Sequence, residues 1–206
     1  MNNIKKSIVG GAFISLGAFS FLITLQKTQN IFLASIMFYL GLSLIMITKQ
    51  NLFTGQVLTK ADLPLQEYTK TLLMTWLGNF IGSIITTISL STILLPDITQ
   101  MMINKMSLNP IQMLVSSIFC NILVCCAVVN YSRTKNHLMS AFFITIFVII
   151  GFEHSIADMT YYTLAMIEGI NMNIANTIIS LVIISLGNVI GGRFVVEIIK
   201  QNRKVD

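Results

Sequence analysis

Gly151-Phe152-Glu153-His154-Ser155-Ile156-Ala157-Asp158-Met159 sets two carboxylates and an imidazole directly after a run, Leu138 to Phe152, that carries no charge. An ionisable group at membrane depth costs about 3 kcal/mol on insertion scales and as a rule faces a cavity, a partner or a permeation route. The stretch therefore marks an interrupted span and a candidate site, and the rest of the chain has to account for its cost.

The surroundings are apolar throughout. Of 206 residues 54% are hydrophobic and 10% charged, with a mean hydropathy of +0.80, whereas an average soluble domain is about 25% charged. This composition defines an integral membrane protein, and at about 20 residues per span the length accommodates six spans in a single transmembrane unit covering residues 1–206. The net charge of +5 does not point to nucleic acid, because the basic residues sit at span ends and form no stripe. Cys120, Cys125 and Cys126 share one apolar run without metal-ligand spacing and read as inert buried thiols. No nucleotide loop, metal motif or cofactor motif occurs, so neither cofactor nor metal is expected. Glu153 and His154 are adjacent, and on a regular helix their side chains would diverge by about 100°, which argues against a membrane enzyme. A non-conducting scaffold or sensor remains the competing class.

In chain order, the expected spans are Ile8 to Leu25, Ile31 to Thr48 with a short continuation to Leu58, Thr71 to Leu95, Ile111 to Tyr131, His137 to about Met166, and Ile174 to about Ile199. The second is interrupted at Lys49 to Gln56 and the fifth at Phe152-Glu153-His154. Lys60 to Lys70 and Pro96 to Pro110 read as loops, and Lys200 to Asp206 as a frayed basic end. Lys5, Lys6, Lys60, Lys70, Arg133, Lys135, Arg193, Lys200, Arg203 and Lys204 fall on one side, against Lys27 and Lys105 on the other. By the positive-inside rule both termini are cytoplasmic.

The halves share a pattern. Each has an interrupted span, at Asn51-Leu52-Phe53-Thr54-Gly55 and at Phe152-Glu153-His154, followed by Gly-Asn-x-Ile-Gly in the next, at Gly78 and at Gly187. With three spans per half, the halves enter the membrane from opposite sides, giving two inverted repeats at about residues 7–95 and 110–200. Interrupted backbone is tolerated in a membrane only against protein or a wet cavity, and half-helix N-termini bring partial positive charge to the midplane, which favours an anion.

Four motifs, Leu52-Phe53-Thr54-Gly55, Cys120-Asn121-Ile122-Leu123-Val124-Cys125, Gly151-Phe152-Glu153-His154-Ser155-Ile156-Ala157 and Gly187-Asn188-Val189-Ile190-Gly191-Gly192, occur in an order that resembles the formate/nitrite transporter family. The resemblance implies an all-α, aquaporin-like protomer of six helices, with the second and fifth broken, in a homopentamer of the cell membrane. Each protomer has its own pore, in lipid, for small monovalent anions such as formate, nitrite or hydrosulfide. It makes His154 the central pore histidine and Thr54 its partner, Asn121 and Asn188 pore-facing amides, and Lys105 an anion-attracting lysine. It places Leu42, Leu52, Phe53, Val124 and Phe147 at apolar constrictions, with Phe38 beside them. The chain departs from the family pattern at Asn51, where Glu is usual, at Lys49, where a small residue is usual, and at Asp158, where Asn is usual.

The expected mechanism follows from desolvation, since a bare anion in an apolar ring is disfavoured while its conjugate acid is not. His154 with Thr54 would polarise or protonate the anion between the rings, the imidazole being the side chain that titrates near neutral pH. Glu153 is expected to be structural, accepting from backbone donors freed by the break. Lys49 and Asp158 are expected to pair across the two broken spans.

Overall fold

The computed structural model describes residues 2–202, so Arg203, Lys204 and most of the expected frayed end lie outside the described residues. The order of elements is α1 (Asn2–Thr28), α2 (Ile31–Thr48), α3 (Phe53–Thr59), α4 (Leu65–Ser91), α5 (Thr99–Met106), α6 (Pro110–Thr134), α7 (His137–Ile150), α8 (Ser155–Ile167) and α9 (Ile174–Asn202). There is no strand among the described residues. Five helices are long and apolar enough to cross a membrane, and α7 with α8 makes a sixth span bent by 48°.

Local chemistry sets the helix starts. Asn30 and Asn136 accept from the amides of Leu33 and Met139 to cap α2 and α7. Asn109 and Gln112 form a reciprocal capping box at α6, with Pro110 in the first turn, where a missing N–H costs nothing. Along α4 and α9, Leu73, Leu77, Ile81, Ile85, Ile178, Val182 and Leu186 are exposed, the outward apolar face a membrane helix presents to lipid or to a neighbouring helix.

The two halves are built alike, as two inverted three-helix repeats. In the first, α1 packs on α2 and α4; in the second, α6 packs on α7 and α9. Both breaks also follow one backbone recipe. α2 stops at Lys49 with φ 55°, and α7 at Gly151 with φ 80°, left-handed positions that turn the chain out of the helix. An extended residue then starts each half-helix: Leu52 (φ −117°, ψ 130°) before α3 and His154 (φ −117°, ψ 108°) before α8.

The repeated Gly-Asn-x-Ile-Gly motif holds both breaks in place. Asn79 Oδ1 accepts from the amide of Phe53 at 2.8 Å, while its Nδ2 donates to the carbonyls of Ser7 and Asn51. In the other half, Asn188 Oδ1 accepts from the amide of Ser155 at 3.0 Å, and its Nδ2 donates to the carbonyls of Ser117 and Glu153. Each amide thus serves one orphan donor at a half-helix start, one carbonyl in the break and one carbonyl on the adjoining span. The flanking glycines allow the approach, because a Cβ at Gly82 or Gly191 would run into the carbonyl of Ile8 or Ile118.

Several expected boundaries shift. α1 already includes Lys5 and Lys6, and α4 begins at Leu65, so the expected loop to Lys70 is half helix. The Pro96 to Pro110 loop contains α5. Lys49 is not inside a span but caps the end of α2, where it is exposed; only the left-handed turn of the break brings the chain to the surface there.

Truncating either amide strands one backbone donor and two carbonyls in the interior, at about 1–3 kcal/mol per group. Asn79→Ala and Asn188→Ala are each expected to lower the thermal unfolding midpoint of the purified protein in detergent, whereas Asn176→Ala, at the exposed start of α9, leaves it nearly unchanged. Equal midpoints for all three would contradict the pinning role.

Candidate functional site: two cavities flanking the helix breaks

The breaks meet at one hydrogen bond. Thr54, in the first turn of α3, and His154, immediately before α8, are both buried, with Thr54 Oγ1 3.2 Å from His154 Nε2. His154 Nδ1 accepts from the amide of Ala157 at 3.2 Å, acting as the side-chain cap of α8. With Nδ1 committed as an acceptor, a neutral ring carries its proton on Nε2 and donates toward Thr54. Phe147 stacks on the imidazole at 5.9 Å between ring centroids, and Phe38 meets Phe147 edge-on at 5.6 Å.

A cavity opens on each side of this contact. The one at the α5 end has a volume of about 480 Å³ and is lined by Phe38, Phe147, His154, Ala157, Tyr161, Lys105, Glu153 and Asp158 among others. The other, about 270 Å³, lies toward the C-terminal end of α3 and is lined by Leu42, Leu52, Gly55, Gln56, Lys49 and Asn51 among others. Phe53 and Val124 are buried in the core and line neither. Thus Phe38 and Phe147 sit above the Thr54–His154 bond, and Leu42 and Leu52 below it. Gln56 Oε1 is buried without a hydrogen-bond partner among the described residues, a polar atom beside the lower cavity that sequence reasoning did not single out.

Asn121 and Asn188 lie away from both cavities. Each is fully buried, and Asn121 Nδ2 donates to the carbonyls of Thr54 and Asn188. Their amides serve the backbone of the breaks, which gives them a holding task in this structure.

At the α5 end, Lys105 Nζ donates to both carboxylate oxygens of Glu153, at 2.8 and 2.7 Å, and to Asp158 Oδ1 at 2.7 Å. The three side chains are 11%, 3% and 1% exposed. Tyr161 places its ring 5.5 Å from the ammonium. Burial works against the charge on Lys105, but the Asp158 and Glu153 carboxylates more than offset it and hold its pKa above the ordinary lysine value. A raised lysine pKa keeps the Lys105 ammonium charged at neutral pH and below.

Two expectations are corrected by this cluster. Asp158 pairs with Lys105, not with Lys49, which stands at the rim of the other cavity; the breaks lie back to back, so their flanking charges face opposite ends of the bundle. The Glu153 side chain takes the lysine instead of stray backbone donors. It is the Glu153 backbone that is tied down, its amide donating to Ser116 Oγ at 3.0 Å and its carbonyl accepting from Asn188. Asn79, Ser116 and α5 itself went unassigned from sequence; only Asn79 left a signal, as the counterpart of Asn188 in the repeat.

The profile described as formate/nitrite transporter matches residues 1–201. The chain belongs to the formate/nitrite transporter family. An uncharacterized transporter of Saccharomyces cerevisiae is 26% identical over 217 residues, covering 92% of this chain and 35% of the relative. A formate-nitrite transporter of Entamoeba histolytica is 27% identical over 225 residues, covering 96% of this chain and 63% of the relative. The chain therefore spans about a third of the first and under two thirds of the second. Among solved structures, an FNT family ion channel superposes with a TM-score of 0.84 at 25% identity, covering 93% of this chain and 85% of that one. A pentameric formate channel with formate bound superposes with a TM-score of 0.80 at 25% identity, covering 100% and 97%. This family member is accordingly a multi-pass membrane protein.

Removing the cation from a buried ion cluster leaves uncompensated charge, at about 3–5 kcal/mol. Lys105→Met is expected to lower the unfolding midpoint markedly, and adding Glu153→Gln with Asp158→Asn to restore most of it. A triple variant no more stable than Lys105→Met would show that the cluster is not an electrostatic unit.

Proposed function

We propose that the protein is a channel for small monovalent anions of weak acids, formate, nitrite or hydrosulfide, with its pore running past the Thr54–His154 contact. The observation that carries this reading is that single hydrogen bond, set at the crossing of two broken helices with a cavity on either side. Membership of the family and the likeness to a formate channel support it.

The route has three physical stages. At the α5 end, polar side chains and water receive the hydrated anion, with the Lys105 ammonium as the one cation lining that cavity among the described residues. Phe38 and Phe147, then Leu42 and Leu52 with Phe53 and Val124 behind them, form apolar rings that a bare charge crosses only at high cost. Between the rings, His154 offers Nε2–H in place of the lost water, and Thr54 adds a hydroxyl that can donate or accept. The N-terminal ends of α3 and α8 point their dipoles at the same place. An anion hydrogen-bonded there becomes more basic as its surroundings dry, because burial favours the uncharged form, and it crosses as the neutral acid with a proton taken from hydronium in the cavity water.

By the same reading the protein assembles as a homopentamer, in line with the pentameric formate channel it resembles. The exposed apolar faces of the protomer would then be shared between lipid and neighbouring copies. By the positive-inside rule, the excess of Lys and Arg at one end of the bundle supports cytoplasmic termini, and the proposed channel belongs to the plasma membrane.

Stopped-flow uptake into proteoliposomes tests the function, with formate, nitrite and hydrosulfide each offered across a range of outside pH. Saturating but protein-dependent uptake of at least one is expected, and none at any pH would leave a non-conducting scaffold. His154→Asn keeps an acceptor for the Ala157 amide but cannot exchange a proton. It is expected to slow uptake at neutral pH by on the order of tenfold, the loss of one hydrogen bond to a charged group, and to flatten the pH profile. A wild-type profile from the variant would remove the proposed role.

A further inference from the structure

Lys105, Glu153 and Asp158 do not balance. With every group ionised, one ammonium faces two carboxylates, and the mouth of a supposed anion pore carries a net negative charge. The geometry shows where the imbalance resides. Both oxygens of Glu153 and Oδ1 of Asp158 accept from Lys105, whereas Asp158 Oδ2 is buried without a hydrogen-bond partner among the described residues. Asp158 also lines the α5-end cavity. A buried oxygen with no donor, on a group whose charge is unmatched, is a place for a proton.

Among the described residues no nearby group can supply the missing positive charge. Facing Asp158 are Lys105 from α5, Glu153 and His154 from the break, Tyr161 and Tyr162 of α8 itself, and Cys120 from α6. The lengths of α1, α4 and α9 that cross this depth, residues 7–26, 71–91 and 174–192, hold no acidic or basic residue. A metal cation would need several oxygens, and Lys105 already occupies the centre between the carboxylates.

We propose that Asp158 Oδ2 is a proton-binding site that sets the charge of this vestibule, so that a weak-acid anion enters only when the proton is bound. This rests on the anion-channel reading above. Loading forms one O–H bond at Oδ2 with a proton taken from the water of the cavity, and no electron changes hands; release returns the proton to water and restores the carboxylate. The loaded cluster is neutral, leaving the Lys105 ammonium matched by Glu153 alone. The unloaded cluster is negative and repels the anion several ångströms before it reaches Phe38 and Phe147. Asp158 is thus a specificity-determining residue, admitting anion and proton together.

Formate uptake by wild-type and Asp158→Asn proteoliposomes, compared at each outside pH, isolates this effect. Both proteins meet the same mixture of formate and formic acid, so the ratio of their rates cancels the titration of the acid itself. The ratio of variant to wild-type rate is expected to climb as the outside is made alkaline, by on the order of tenfold for removal of one unit charge at this range. A constant ratio would overturn the proposal while leaving the channel function standing, and absence of wild-type uptake at every pH would overturn both. A parallel measurement needs no variant: infrared difference spectra of wild-type protein with isotope-labelled aspartate should show a protonated carboxyl band that vanishes over the pH range in which uptake falls. Transport without such a band, or uptake that follows sodium instead of pH, would overturn it.

Discussion

Backbone cannot be left unpaired inside a membrane, and the whole architecture answers to that constraint. A half-helix that starts at the midplane exposes amides with no water to receive them, at a cost of several kcal/mol per stranded group. Asn79 and Asn188 remove that cost in the two halves by the same three hydrogen bonds. Because each amide also grips a neighbouring span, the solution for the break is at once a solution for helix packing, and α1 against α4 and α6 against α9 become the tightest contacts in the fold. The Thr54–His154 contact is mounted on these two anchored breaks.

Asn121 extends the logic across the halves. Its Nδ2 reaches the carbonyl of Thr54 on α3 and that of Asn188 on α9, so the half-helix of one repeat is tied to the anchoring amide of the other. The separation of Thr54 from His154 is therefore set by backbone hydrogen bonds deep in the protein. Under the proposed function, a gap defined in this way would discriminate by what an anion must lose, its water, more than by a pocket shaped around it. The small weak acids suit such a gap, since protonation lets them lose that water cheaply.

Much of this was legible in the sequence, and the reasons differ by feature. Hydropathy gave the spans, because lipid imposes an unbroken apolar length, and Ile31 to Thr48 coincides with α2. The breaks were visible as Gly, Asn and charged residues where none belong, and the repeat as the double Gly-Asn motif. The hydrogen bonds of Asn188 to the backbone were not legible, because a polar residue in a span suits a pore as readily as a backbone anchor, and its partners Ser117 and Ser155 lie on other elements. The partners of Asp158 and Glu153 were hidden because Lys105 lies 48 residues before Glu153, on α5, whose polar composition reads as loop and which holds its helix by packing on α8.

The placement of His154 as the cap of α8 carries a consequence of its own. The nitrogen that holds the Ala157 amide is the nitrogen a second proton would occupy, so a doubly protonated ring would set two N–H groups facing each other and release the first turn of α8. Charge on the imidazole and an intact helix start are mutually exclusive, which makes the first turn of α8 a mechanical gauge of the protonation state at the centre of the pore. A neutral ring held in this way offers its Nε2–H toward Thr54 as a hydrogen bond only, since giving that proton away would leave an imidazolate.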